Sequence, residues 1–222
     1  MSPSTATTTR PKRSSRGPSR ATVARRRAAA RRKRTVRVLM ALGVIGAGIA
    51  LAMPLLQKAV SELTLPLSDS SIIRQQAAEK HLDPALIAAV IYAETKFDPR
   101  TSSAGALGLM QMMPQTAQYL ARQSGGTGFT TADLAEPAVN IAYGSYYLRF
   151  LLDHYHGNEM FAIAAYNGGI TNVDEWIAAA RSSGHPLTID DIPFPETRDY
   201  VLRVLQAQRD YRKTYASQLG YG

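Results

Sequence analysis

The sequence predicts an all-α domain, with any β structure limited to a short hairpin. Three observations carry this. Helix-start signals recur along the chain: Asp83 before Pro84, then Pro114, then Glu136 before Pro137. Residues 85–93 are nine apolar positions in a row, longer than a typical strand and suited to a helix buried on most sides. Alternating apolar–polar runs that would mark strands are scarce.

From the N-terminus, residues 1–37 hold 13 Lys and Arg and no acidic side chain. Like-charged sequence this poor in apolar residues buries too little surface to offset ordering, so it predicts a disordered basic tail. The other 185 residues carry 13 basic and 17 acidic side chains, a net of −4, so the overall charge of +9 belongs to the tail. A nucleic-acid enzyme usually carries its positive charge on the folded surface, and no specific nucleic-acid partner is expected. Residues 38–56 contain no charge over 19 positions, about the length that spans a bilayer as a helix. With 13 cations directly before it, this stretch predicts a single-pass membrane anchor, N-terminus cytoplasmic and the rest extracytoplasmic. The alternative is a signal segment cleaved near Ala52, where Ala50-Leu51-Ala52 has the small-x-small form. Residues 57–70, with Pro66 and the Ser68-Asp69-Ser70 cluster, predict a linker.

Residues 71–222 predict the folded domain, of seven or so helices. Asp83 caps the apolar helix, and Pro99 limits how far that helix runs. Pro114 opens a helix through about Ala121, and Pro137 one through Leu152 that ends near Gly157. A short helix over 159–166 stops at Gly168-Gly169, a helix covers 172–180, and a long last helix covers 196–217.

The chain has no cysteine, which removes disulfides, thiolate metal sites and a cysteine nucleophile. It has no phosphate-loop or Gly-x-Ser-x-Gly motif. His81, His154, His156 and His185 show no i,i+4 pair, so neither a metal nor a cofactor is expected. What remains is a carboxylate. Glu94 closes the apolar helix, where the negative end of the helix dipole and apolar surroundings both disfavour its charged form. A raised pKa is what a general acid needs. An ordinary surface glutamate in a last turn is the other reading of this segment. Beyond it, Gly105 and Gly108 allow close backbone approach to a ligand. Gln111 suits sugar hydroxyl and amide groups, and Met112 and Met113 offer either adaptable ligand contact or core.

Four segments, taken together, resemble in order the motifs of the soluble-lytic-transglycosylase type domain. They are Glu94-Thr95; Gly105-Ala106-Leu107-Gly108-Leu109-Met110-Gln111-Met112-Met113-Pro114; Ala165-Tyr166-Asn167-Gly168-Gly169; and Ile192-Pro193-Phe194-Pro195-Glu196-Thr197-Arg198, followed by Tyr200-Val201. The resemblance covers roughly residues 71–215. It implies a helical fold like goose-type lysozyme, with a cleft for a glycan. It further implies Glu94 as catalytic residue, and Ser103, Gln111, Met113, Tyr166, Asn167, Glu196 and Tyr200 as residues that meet the substrate. Thr95 stands where the family usually has Ser; it keeps the hydroxyl and joins the expected substrate-contact set.

The implied activity is that of a peptidoglycan lytic transglycosylase, with the glycan strand as partner. Two-carboxylate glycosidases flank the scissile bond with a pair of acids, and here only Glu94 has a suitable setting. A lone carboxylate needs the substrate's acetamido group and its own C6 hydroxyl, giving a 1,6-anhydromuramoyl end. Two rivals are a muramidase of the same fold that uses water and a glycan-binding module in a cell-envelope assembly. A third, using the Arg-rich tail, is a membrane-bound nucleic-acid binder.

Overall fold

The computed structural model describes residues 65–125 and 128–221, together with Met40, Gly43 and residues 48–53. The predicted basic tail 1–37 and most of the predicted anchor 38–56 lie outside the described residues. Met40, Gly43 and residues 48–53 are helical and exposed. Among the described residues no helix is long and apolar enough to cross a membrane.

Among the described residues seven helices of 10 to 20 residues build the C-terminal unit: α1 (Ser70–Lys80), α2 (Pro84–Thr95), α3 (Pro114–Ser124), α4 (Pro137–His154), α5 (Glu159–Gly168), α6 (Ile170–Ser182) and α7 (Pro195–Thr214). It also has a final turn, α8 (Ala216–Leu219), a two-stranded hairpin, β1 (Arg100–Thr101) with β2 (Leu107–Gly108), and two short 3-10 helices, Thr131–Ala135 and Ile189–Asp191. The hairpin is antiparallel, Arg100 opposite Gly108 and Thr101 opposite Leu107. The helical class and the short hairpin are as the sequence predicts. Several boundaries differ: the helix predicted over 159–166 runs to Gly168, and the one over 172–180 spans Ile170–Ser182. The helix at Pro114 runs on to Ser124, where Gly125 takes a left-handed C-cap. The last helix breaks at Tyr215 rather than continuing to 217.

α2 is the centre of the larger core. Residues 85–91 are all buried, because an apolar run with no polar face has no side to give to water. Leu86, Ile87, Val90 and Ile91 each contribute roughly 1.5–3 kcal/mol by leaving water. α2 packs mainly on α7 and secondarily on α1, while α5 packs on α4, α6 and α7. A smaller core, of Met112, Ala117, Leu120 and Leu134, lies under the hairpin and α3. Tyr147 and Tyr166 pack against both cores, so they mark the seam between them.

Asp83 fixes where α2 begins. Its carboxylate accepts from the Ala85 N–H at 3.0 Å as an N-cap. It also accepts from Gln208 Nε2 at 2.7 Å and from Arg212 and Tyr221, which ties the helix start to α7 and the C-terminal turn. Residues 65–69, the end of the predicted linker, lie against α7: Tyr215 Oη donates to the Leu65 carbonyl at 2.8 Å, and Tyr211 Oη donates to that of Pro66. Asp83→Ala is expected to lower unfolding stability by about 2–4 kcal/mol, one part the lost cap and the rest the unpaired buried amide of Gln208. Urea midpoints at constant slope measure it.

Candidate active site

α2 delivers Glu94 to the seam and then stops. Lys96 and Phe97 both adopt left-handed backbone, with φ of 53° and 64°, and Pro99 follows. The chain therefore turns sharply away after the carboxylate and enters the hairpin. Arg100 reaches back, donating from Nη2 to the Glu94 carbonyl at 2.8 Å. This satisfies one of the orphan carbonyls of the helix end.

The Glu94 side chain is half-buried, and Tyr200 Oη donates to its Oε1 at 2.7 Å. Burial raises its pKa to about 7, against the Tyr200 hydrogen bond and the Arg203 and Arg100 charges, which pull it down; the Glu196 charge adds to the rise. Tyr200 is 2% exposed, and burial followed by the neighbouring Glu94 charge holds its hydroxyl well above the ordinary tyrosine value. It is thus a fixed neutral donor. Glu94 alone of the two titrates near neutrality, the property required of one group that must first give and then take a proton.

Around this pair the loop 107–112 forms a tight cradle. Leu107 and Met112 exchange both backbone hydrogen bonds, at 3.0 and 2.9 Å. Tyr166, from the end of α5, donates to the Met110 carbonyl at 2.9 Å and approaches Met112 Sδ at 3.4 Å. Burial, then the Glu94 charge, pushes the Tyr166 hydroxyl well above its ordinary value. Gly144 admits Met110: a Cβ there would lie 2.4 Å from Met110 Sδ. Gly108, at φ +72°, lies so close to α4 that a Cβ would stand 2.2 Å from Asn140 Nδ2.

The residues singled out from the sequence divide into groups. Glu94 and Tyr200 meet directly, and Tyr166 walls the same seam. Asn167 Oδ1 accepts from Thr197 Oγ1 at 2.7 Å, which locks the end of α5 to the start of α7. Glu196 stands exposed one turn before Tyr200. Met113 is half-buried at the N-cap of α3, and Ser103 is exposed in the hairpin turn. Gln111 sits at φ 47° and spends its amide N–H groups on the carbonyls of Arg100 and Gly108, both at 2.8 Å. That leaves its amide oxygen as the group able to meet a ligand.

Thr95 requires correction as a substrate contact. It is 1% exposed, and its hydroxyl donates to the carbonyls of Leu109 at 2.8 Å and Ile91 at 3.2 Å. It pins the cradle to α2 from inside, and the methyl that distinguishes it from Ser lies in the interior. Sequence reasoning missed Asn140, Arg100 and Arg203. Asn140 carried one signal, a poor helix former set between Val139 and Ile141 inside a helix.

Tyr200→Phe is expected to raise the Glu94 pKa further, since it removes a donor that favours the carboxylate. The alkaline limb of the pH–rate profile should move up by about one unit, with the hairpin and helices unchanged.

Known proteins resemble this chain in sequence and in fold. The transglycosylase SLT domain model matches residues 71–188. The soluble lytic murein transglycosylase of Escherichia coli (strain K12) is 30% identical over 154 residues, 68% of this chain and 24% of that protein. A transglycosylase of Enterobacteria phage PRD1 is 43% identical over 107 residues, 48% of this chain and 36% of the relative. Among solved structures, an inactive mutant of the lytic transglycosylase Slt from Pseudomonas aeruginosa superposes with a TM-score of 0.64 at 31% identity, covering 71% of this chain and 26% of that one. This chain therefore spans about a quarter of the length of its Escherichia coli relative. With a family match over more than half its residues, an end-of-helix glutamate at the seam and the same helical architecture, the chain belongs to the transglycosylase SLT domain family.

Proposed function

We propose that this protein cleaves the β-1,4 bond between N-acetylmuramic acid and N-acetylglucosamine in peptidoglycan, leaving a 1,6-anhydromuramoyl end. One observation carries the reading. Glu94 is a half-buried carboxyl whose pKa burial raises to about 7, held by a neutral tyrosine donor. As an acid it gives its proton to the glycosidic oxygen while the C1–O bond breaks toward N-acetylglucosamine. As a carboxylate it then takes the proton of the muramoyl C6 hydroxyl while that oxygen bonds to C1. One proton leaves and one returns, and no water is consumed. The substrate's acetamido group shares the positive charge at C1 in between. Because nucleophile and electrophile belong to one sugar, proximity lowers the barrier without a second enzyme carboxylate.

The water-using rival draws on Glu196, whose charge reaches Glu94 from the first turn of α7. Its exposure argues against a base in a dry site, and its position favours contact with the glycan. Digestion of purified peptidoglycan followed by mass analysis separates the two: anhydro ends support the transglycosylase, reducing ends the hydrolase. For location, the uncharged run 38–56 behind 13 cations supports a membrane-anchored enzyme acting outside the cytoplasm. Fractionation of cells with and without that run tests it.

A further inference from the structure

Residues 65–67 form a short strap that lies against α7 before α1 begins. Leu65, Pro66 and Leu67 are half-buried, and both leucines pack on the larger core. Tyr211 of α7 is fully buried, so its hydroxyl needs an acceptor inside the fold. Among the described residues that acceptor is the Pro66 carbonyl, while Tyr215 Oη donates to the Leu65 carbonyl at 2.8 Å. Burial pushes the Tyr211 hydroxyl well above the ordinary tyrosine value, so it stays a donor. From the strap the contact runs on to the catalytic end of α2. The Tyr211 ring meets Tyr92 edge-on and Phe97 at a tilt, each at 6.1 Å between ring centroids. Those two residues bracket Glu94. The Tyr92 carbonyl accepts from the Lys96 N–H at 3.0 Å and caps α2. The Thr95 carbonyl accepts from the Asp98 N–H at 3.0 Å, across the left-handed pair Lys96 and Phe97. A bulky side chain at positive φ keeps that backbone only where packing holds it.

We propose that this strap is a positioning element for Glu94, so that the working catalytic unit begins at Leu65 and not at α1. The role of Glu94 rests on the proposed reaction; the hold of the strap on the end of α2 rests on the contacts above. The strap touches no reacting atom and acts through Tyr211. Pro66 has no N–H to satisfy and a fixed φ, so the strap docks with little left to order. While it is docked, the hydroxyl bond and the ring contacts fix Tyr211 at both ends, and the ring gives Tyr92 and Phe97 a rigid surface. Once it leaves, the Tyr211 hydroxyl has no acceptor but water. The ring turns outward to reach it, and the cap of α2 loosens on both sides of the carboxyl. A catalytic group displaced by about 1 Å loses about 10²-fold in rate. Leu65, Pro66 and Leu67 carry no polar side chain, so glycan affinity does not depend on them.

The test is made on the full chain. Leu65→Ser with Leu67→Ser strips the strap of its apolar anchors, and Leu65→Met with Leu67→Met keeps them. Tyr211→Phe keeps the ring and removes the hydroxyl. Initial rates of bond cleavage on soluble glycan strands give kcat and KM, and hydrogen exchange at the Lys96 and Asp98 amides reports the cap of α2. In the serine pair kcat is expected to fall by about tenfold or more, at a KM within about twofold of the parent. The two amides should exchange at least about tenfold faster. The methionine pair restores both readouts, and Tyr211→Phe moves both in the same direction as the serine pair. Circular dichroism at the assay temperature checks that each variant is folded. A serine pair that lowers only the melting temperature, with kcat and both exchange rates parental, makes the strap merely structural and overturns the proposal. A rise in KM at unchanged kcat makes it a substrate contact and overturns the proposal too. If the serine pair does not fold, Tyr211→Phe decides on the same readouts. The reaction is scored separately, by the ends that the parent releases. Reducing ends sink the anhydro reading and leave the strap. A parent that cleaves no glycan loses the reaction, and the exchange rates still decide the strap.

Discussion

Glu94→Gln is expected to abolish turnover while making the domain more stable than its parent above neutral pH. The two effects have one cause. General acid or base catalysis by a positioned side chain contributes about 10²–10⁴-fold, and in the proposed reaction one carboxyl serves in both roles, so a loss of at least about 10³-fold in kcat is expected. Geometry survives the change: Gln keeps an oxygen to accept from Tyr200. Stability moves the other way because burial raises the Glu94 pKa from 4.5 to about 7. A raised folded-state pKa means that the folded protein favours the protonated form. Relative to a permanently neutral side chain, the parent loses nothing below pH 4.5. It is increasingly penalised as pH rises toward 7, and the penalty levels off above that. The shift corresponds to about 3 kcal/mol. Urea denaturation at pH 4 should give matching midpoints for the two proteins, and at pH 8 the Gln variant should unfold later. A Gln variant that still releases anhydro ends would remove Glu94 from the chemistry.

The second large effect is expected at a residue that touches no substrate. Asn140 is fully buried in α4 and makes three hydrogen bonds: it accepts from the Met110 N–H at 2.8 Å and donates to the carbonyls of Leu107 at 2.8 Å and Leu134 at 2.9 Å. Asn140→Ala takes away the side-chain partner of one buried donor, the Met110 N–H, and of one buried acceptor, the Leu134 carbonyl, while the Leu107 carbonyl keeps the Met112 N–H. At about 1–3 kcal/mol each, partly relieved by relaxation, the expected loss is about 3–5 kcal/mol. Two of the three bonds, to Met110 and Leu107, hold the loop 107–112, against which Tyr166 and Thr95 are set, and the third ties Leu134 to the same side chain. A displacement of the cradle by about 1 Å costs about 10²-fold in rate. Gly108→Ala should reproduce the lesion from the other side, since its Cβ would enter the space of the Asn140 amide. Stability and kcat/KM thus fall together in Asn140→Ala, whereas Glu94→Gln separates them. An Asn140→Ala protein of parental stability would show that the loop is held by other contacts.

Several parts of this molecule could be read directly from residue order. The start of α2 follows from Asp83 and Pro84, the burial of residues 85–91 from the apolar run they belong to, and its end from the approach of Pro99. These are local rules, set by side chains within one or two helical turns of each other. Glu94 stood out for the same reason, as the carboxyl at the end of an apolar helix. Folding decided the rest. Tyr200 lies 106 residues from Glu94, and only the packing of α7 on α2 brings its hydroxyl to the carboxylate. The role of Asn140 depends on the hairpin loop, which supplies two of its partners from 30 and 33 residues away. Thr95 could face the cleft or the core on sequence grounds, and the position of the Leu109 carbonyl settled it inward. Helix periods and caps are written in near neighbours, whereas hydrogen-bond partners across a seam depend on how whole helices stack to exclude water.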